Sequence, residues 1–507
     1  MITDTLLTNT WRPQNKIASA LRRGEFFWTI EFVASADHVL DDDMIKVDAF
    51  VRQLARRKEV AGFTVTDRVH SDTDPDPVMI AKHVRDHSGS QPLIHLSGKD
   101  RDMNDLITSL DEIKVAKLEN VLILTGDKLK DPPSDRRPRY LESVPAIRTA
   151  REYHPDLIIA AALNPFKYRE EESVAQYLKL GKKILAGVDY LITQIGFDIV
   201  KHEEALFWMD SRGYRVPMVA NIMALTAARS RFIRKHQLAG VTITDSYHEL
   251  LQTEEKELTR EQAAARVTRR LALQIVGLRL IGYSGVQLTA ITRTEMLETL
   301  QNQVDYLSKK CPDRITWNKA WKEAFVFPDG KRIANPAPEI AWTLSFRQVD
   351  RAPLRDRLKY RLMDRVHSFW FEKGAGAKLL TRTIGKIKRG SKADQKLVKL
   401  ERAIKGPLFG CETCGLCRLN ATQYVCPETC PKGLANGPCG GTHLNTCEFG
   451  DRECIHSRKY RIARDLKLLT QLEQWLIPAV PEAYRNTSSW PPYLRREGPK
   501  VIKKKRS

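Results

Sequence analysis

The stretch NVLILTG (residues 120–126) decides how the chain folds. Its apolar residues run without alternation, as in strands buried on both faces, and Gly126 closes the run. Seven further runs read the same way: FWTIEFV (27–33), AGFTVTD (61–67), PLIHLS (92–97), LIIAAAL (157–163), VDYLITQ (188–194), VPMVANI (216–222) and GVQLTAI (285–291). Helical stretches separate them, among them DDDMIKVDAFVRQLARR (41–57), RDMNDLITSLDEIKVAK (101–117) and ESVAQYLKLGKKILA (172–186). Eight strand–helix units over residues 16–308 predict an α/β protein with a (β/α)8 TIM barrel. A doubly wound open sheet competes, but no G-x-G-x-x-G follows the first strand, which weighs against a dinucleotide-binding version. GVTITDSYHELL (240–251) also reads as a strand. A ninth strand does not fit a barrel, so it is assigned to the long connection before strand eight.

At 507 residues the chain is long enough for two or three domains, and its composition, 42% hydrophobic and 29% charged, is that of a globular protein. No apolar run approaches the roughly 18 residues that span a bilayer. The start, MITDTLLTNTWRPQNK, lacks a basic segment followed by an apolar one, so no signal peptide is expected and the expected compartment is cytoplasmic. The expected organisation is an N-terminal arm (1–15), the barrel (16–308), a connector with a basic helical segment (309–405), a cysteine-rich module with a helix (406–480) and a basic tail (481–507).

Net charge is +21, concentrated in KIKRGSKADQKLVKLERAIK (386–405) and the terminal KVIKKKRS. Such charge suits nucleic acid, an acidic protein or a polyanionic small molecule, or forms a solvated helix face and a disordered tail. No aromatic residues interleave with the basic run, so nucleic acid is not the expected partner.

Catalytic groups of such a barrel come from the C-terminal ends of its strands. Glu31 interrupts strand one, Thr66 and Asp67 end strand two, and His95 lies at the end of strand three. Asp127 follows Gly126, Asn164 and Gln194 end strands five and six, Asn221 lies at the end of strand seven, and Arg293 stands just past strand eight. Each alone reads as a loop cap. Together they frame a pocket suited to a neutral, hydrogen-bonding heterocycle. Glu31, between Ile30 and Phe32, is expected to be desolvated, with its pKa raised into the range of a general acid. The alternative is a glutamate paired with a buried lysine or arginine.

Eight of nine cysteines fall within 44 residues, at Cys411, Cys414, Cys417, Cys426, Cys430, Cys439, Cys447 and Cys454. In a reducing compartment such a cluster suggests metal before disulfides, and eight ligands make two four-coordinate sites. CETCGLC and the repeated CP resemble iron–sulfur runs, but structural zinc uses similar spacings. Cys311 stands apart.

These residues resemble the methylenetetrahydrofolate reductase family through the whole barrel. TIEFVAS resembles the first-strand motif with its acidic residue (Glu31), ILTGD the fourth-strand motif (Asp127), AGVDYLITQIGFD the segment with the family's glutamine (Gln194), and ITRTEM the segment closing the last strand (Arg293). The resemblance implies a flavin oxidoreductase, with FAD or FMN, that interconverts 5,10-methylenetetrahydrofolate and 5-methyltetrahydrofolate. Electrons would come from NAD(P)H or another donor. It places Thr66, His95, Thr125, Asp127, Asn164 and Lys183 at the flavin, Gln194 and Arg293 at the tetrahydrofolate, and Glu31, Asp127 and Gln194 in catalysis. Two departures stand out: VASADH lacks the prolines common after the first strand, and Thr125 replaces an arginine that touches the flavin in many members. The module resembles the small cysteine-rich partner of acetogen reductases, fused here to the barrel. It implies [4Fe-4S] clusters or zinc, and admits a redox partner protein and a homo-oligomer. A pterin-dependent methyltransferase of the same barrel fold is the alternative.

Overall fold

The computed structural model describes residues 15–33, 49–69, 74–134, 137–333, 342–344, 350–372 and 374–504. Eight parallel strands close a barrel in sequence order: β1 Phe27–Phe32, β2 Val60–Val65, β3 Leu93–Ser97, β4 Asn120–Leu124, β5 Ile158–Leu163, β6 Tyr190–Thr193, β7 Met218–Met223 and β8 Gly285–Thr289. β1 closes the ring against β8, with Phe27 opposite Gly285 and Thr29 opposite Gln287. The expected TIM barrel is the fold observed. The expected arm lies, except for Asn15, outside the described residues, as does part of the helix expected over 41–57. The expected helix over 101–117 forms as Met103–Val115, opened by an Asp102–Asp105 capping box, and that over 172–186 as Glu170–Ala186. Residues 240–251 form no strand: Thr244 caps a helix, Asp245–Glu257, within the connection that leads to β8.

Side-chain alternation sorts the barrel into two cores. Trp28, Ile30, Phe63, Val65, Ile94 and Val121 pack outward with the helices. The alternate residues, Phe27, Leu93, Leu122, Ile158, Tyr190 and Val219, form a second cluster with Ile17, Ala18 and Leu21 of the helix Lys16–Arg23. That helix therefore plugs one end of the barrel. Asn15 caps it through Ala18 N and donates to Asn120 Oδ1 at 2.9 Å, tying the plug to the first residue of β4. The plugged end is the one where strands begin, so the open mouth lies at the strand ends.

The cysteine-rich segment is seated on this barrel. Buried Glu142 accepts from the backbone N–H groups of Ala435 (3.0 Å) and Asn436 (2.9 Å) and from Asn436 Nδ2 (2.9 Å). Lys179 Nζ lies 3.4 Å from Glu142 and donates to the Gly437 and Pro438 carbonyls at 3.2 and 3.1 Å. Gln176 donates to Cys439 O at 2.6 Å, and Lys167 to Gly440 O at 2.8 Å and to Thr442 O. Gly437 is required where it stands: its φ is +158° and an added Cβ would lie 2.6 Å from Lys179 Cβ. The end of the chain is also folded: Ile502–Lys503 pairs antiparallel with Trp475–Leu476, and Ser488 and Ser489 hold the buried carboxylate of Glu401.

Burial raises the pKa of Glu142, but Lys179 and the hydrogen bonds around Asn436 outweigh it and the net shift is downward. A depressed carboxylate stabilises the fold above its unfolded pKa and loses that contribution as pH falls through its folded value. Loss of module docking on acidification is therefore expected below pH 4.5, the ordinary value. Glu142→Gln is expected to destabilise at neutral pH by about 3 kcal/mol, because it strands a buried cation. Urea unfolding, with hydrogen exchange over residues 430–442, checks both.

Candidate active site

Following the inward alternation toward the strand ends turns the lining polar. From β1 come Thr29 and Glu31, from β2 Thr64 and then Thr66, from β3 His95, from β7 Asn221, and from β8 Gln287 and Thr289. Glu31 stands opposite Thr64 across the β1–β2 pair. Its Oε2 accepts from Gln287 Nε2 at 2.8 Å. Burial raises its pKa, and hydrogen bonds from Thr289 and Gln287 only partly offset that. Among the described residues no lysine or arginine pairs with it, so the ion-paired alternative is not realised there. Thr289 Oγ1 donates to Asn221 Oδ1 at 2.8 Å, which fixes that amide.

Among the described residues, five buried polar atoms of this lining have no partner: the hydroxyls of Thr29, Thr64 and Thr66, His95 Nε2 and Gln287 Oε1. Leaving such atoms unmade costs about 1–3 kcal/mol each. Their convergence on one chamber, around a carboxyl that is not ion-paired, fits the polar edge of a flavin or pterin ring. Burial lowers the His95 pKa to about 4, so the imidazole is neutral at physiological pH and offers one donor and one acceptor.

The other predicted residues separate into those at the mouth and those that face elsewhere. Asp127 stands at the mouth beside the cysteine-rich segment. Desolvation and then the Glu448 carboxylate raise its pKa, against Lys432 and Lys99. Lys432 bridges the two parts, donating to Gly126 O at 2.8 Å and to Glu448 at 2.6 Å. Asn164, at the tip of β5, donates to Gly240 O at 3.0 Å and Gly440 O at 2.8 Å. Gln194 donates to Ala239 O at 3.1 Å. Arg293 is exposed beyond β8, at the start of the helix Thr294–Lys310.

Two residues expected at the flavin take backbone partners within the chain. Thr125 has the outward parity, and its hydroxyl accepts from Ser143 N at 3.3 Å at the start of the helix Ser143–Tyr153. Lys183 is buried in the helix Glu170–Ala186 and donates to Ala162 O; burial and neighbouring Lys179 lower its pKa to about 7. Both side chains are thus engaged with the chain's own backbone rather than directed at the polar lining. Asp67 is likewise structural, accepting from Ser97 N at 2.7 Å and Arg101 at 2.6 Å. Sequence reasoning missed Thr29, Thr64, Gln287 and Thr289. Counting by twos from Glu31, and noting the polar pair inside GVQLT, would have found them.

The cysteines fall into two sets. Cys411, Cys414, Cys417 and Cys426 line one small cavity. Cys430, Cys439, Cys447 and Cys454 influence one another's ionisation, and Cys439 Sγ lies 3.2 Å from Glu448, next to the mouth. Among the described residues no three His, Cys, Asp or Glu side chains converge on a single ion. A tetrahedral zinc, with Zn–S near 2.3 Å, would draw four sulfurs to within about 4 Å of one another. Burial pushes Cys414 up to about 11 and Cys426 and Cys439 up to about 12, so these thiols stay protonated at neutral pH unless a metal charge is bound among them.

His95 is expected to titrate near pH 4 in an NMR pH series, well below the ordinary 6.5. A midpoint above 6 would show the ring solvated and the chamber open.

Residues 16–302 match the family model described as methylenetetrahydrofolate reductase, and residues 391–480 the model described as methylene-tetrahydrofolate reductase C terminal. No curated protein matches the chain. Among solved structures, it is similar to an uncharacterized protein from Clostridium thermocellum described as binding two copies of 5-methyl-5,6,7,8-tetrahydrofolic acid. The TM-score is 0.42 at 12% identity, over 57% of this chain and 98% of that one. With eight parallel strands, a polar mouth, and a family match over more than half its length, the chain belongs to the methylenetetrahydrofolate reductase family.

Proposed function

We propose that the barrel interconverts 5,10-methylenetetrahydrofolate and 5-methyltetrahydrofolate, with Glu31 as the general acid. The observation that carries this is the setting of Glu31: inside the barrel, hydrogen-bonded to an amide, its pKa raised, and unpaired with any cation among the described residues. Opening the five-membered ring of methylenetetrahydrofolate needs a proton on one ring nitrogen. A neutral carboxyl donates it; in the reverse direction the carboxylate takes it back. Gln287 holds Oε2 at 2.8 Å, and so would orient the carboxyl toward that nitrogen. Gln194 would exchange its Ala239 partner for the paired donor and acceptor of a pterin edge. Asp127, at the mouth, would hydrogen-bond the same heterocycle.

A flavin, FAD or FMN, bound in this chamber would supply the hydride. His95 Nε2 and the Thr64 and Thr66 hydroxyls are the unpartnered groups suited to hold its ring. For the thiol sets the reading is two metal sites, [4Fe-4S] clusters or zinc, that would be held by Cys411, Cys414, Cys417 and Cys426, and by Cys430, Cys439, Cys447 and Cys454. Such clusters would supply single-electron transfer, and electrons would enter from NAD(P)H or a redox partner protein.

Glu31→Gln is expected to keep flavin binding and flavin reduction while folate turnover falls about 10²–10⁴-fold. Unchanged turnover would remove the acid role. In the reductive direction wild-type turnover should decline as pH rises through the raised pKa of Glu31, because the acid form is lost, and that limb should be absent in the variant. Protein purified without air should show flavin absorption bands and contain iron and sulfide. Zinc in place of iron would assign the thiol sets to structural metal, and methyl transfer without hydride transfer would favour the methyltransferase.

A further inference from the structure

More than half of the chain's excess positive charge lies in one helical stretch. Residues 354–408 carry sixteen Lys and Arg against five Asp and Glu, a net +11 of the total +21. Three of those acids are turned inward. Asp356 is held by Arg458 at 2.7 and 2.6 Å, Asp394 is buried against Gly390 N and Ser488 N, and Glu401 is bound by Lys405 and Ser489. The surface of this stretch is thus more cationic than its composition.

The same stretch is also the most apolar surface. Of 21 exposed large hydrophobic side chains among the described residues, ten lie within 354–408. On the helix Leu354–His367 they fall one turn apart: Leu354 (63% exposed), Leu358, Leu362 and Val366. On the helix Lys392–Phe409 they repeat the spacing: Leu400 (50% exposed), Ile404 and Leu408. Each helix therefore presents an apolar row away from its own core. The rows adjoin where Lys359 donates to Leu408 O and its ammonium lies 4.3 Å from the Phe409 ring centre. Isolated exposed leucines need no explanation, but a contiguous concentration marks an interaction surface.

We propose that this two-helix face docks an acidic partner protein, one that presents carboxylates around an apolar patch. Charge decides against a second copy of this chain, whose matching face would bring its own +11. The distribution of charge decides against a lipid surface. In helical projection Arg361 and Arg365 fall on the same side as Leu354 and Leu358, whereas an interfacial helix segregates its cations from its apolar face. The two rows are aliphatic, and the exposed aromatics Phe369 and Trp370 lie outside them between the helices, so the face itself offers no stacking platform for nucleic acid. The face also borders the first thiol set, because Tyr360, Met363 and Phe409 pack on a small cluster of Leu419, Tyr424 and Cys426.

The probe is a synthetic acidic amphipathic helix of about 20 residues, with leucines at i, i+4 spacing flanked by glutamates. The full chain is expected to bind it, with affinity falling at least about tenfold between low and high salt as surface charges are screened. The charge reversal Arg361→Glu/Arg365→Glu and the apolar deletion Leu358→Ser/Leu362→Ser should each weaken binding at least about tenfold, since 1.4 kcal/mol suffices for that factor. Folate turnover should not change. Hydrogen exchange should show protection by the peptide confined to 354–367 and 392–409. Four outcomes overturn the proposal: no peptide binding, equal binding by both variants, preferential binding to vesicles of equal phosphatidylcholine and phosphatidylglycerol, or self-association of the chain abolished by Leu362→Ser.

Discussion

A carboxyl group kept inside the barrel with an amide rather than a cation for company is the constraint on which the site depends. Burial pushes Glu31 toward its neutral form, and Gln287 can hydrogen-bond it without supplying a charge that would reverse the shift. An arginine in place of Gln287 would satisfy the same geometry and hold the carboxylate ionised, leaving no proton to donate. The remaining lining follows this logic. Threonine hydroxyls, a neutral imidazole and amides surround the carboxyl, and five of their buried polar atoms have no partner among the described residues. Stability is given up there for the capacity to bind a ring with matching edges.

The cysteine-rich segment is joined to that chamber by a similar economy of charge. Buried lysines donate to backbone carbonyls of the segment, and one buried carboxylate, Glu142, collects its N–H groups. Backbone groups of a loop otherwise without ladder partners are thereby satisfied. Because the partners are main-chain atoms, the seat depends on glycine-rich backbone geometry around residues 437–441 more than on side-chain complementarity. It brings Glu448 and Lys432 beside Asp127, so that a residue of the barrel and residues some 300 positions later share one electrostatic environment.

Much of the barrel was legible in the sequence. Uninterrupted Val, Ile and Leu runs identify strands covered on both faces, and the helical spacing between them leaves little room for another topology. Glu31 was legible because a carboxylate inside such a run has nowhere to go but the interior. Where the Thr125 and Lys183 side chains point was not legible. Position in a motif says which segment a residue occupies, but a shift of one residue reverses the face of a strand, and a long lysine side chain can end on a backbone carbonyl. Gln287 and Thr289 are marked in the sequence only by their alternate spacing inside GVQLT, and that they meet Glu31 and Asn221 needs the register of β8 against its neighbours.

What the sequence by itself determined was local: eight strand-sized apolar runs, helical stretches between them, the inventory of eight clustered thiols, and an excess of positive charge toward the C-terminus. These follow from periodicity and composition, which act over a few residues at a time. The tertiary structure alone decided that Gln287 meets Glu31 across 256 positions, which thiols share a set, that Ile502–Lys503 folds back on Trp475–Leu476, and that one basic helical stretch keeps its apolar rows outside. Each depends on which segments close in space. That is settled by burial and register over the whole chain, not by any stretch of it.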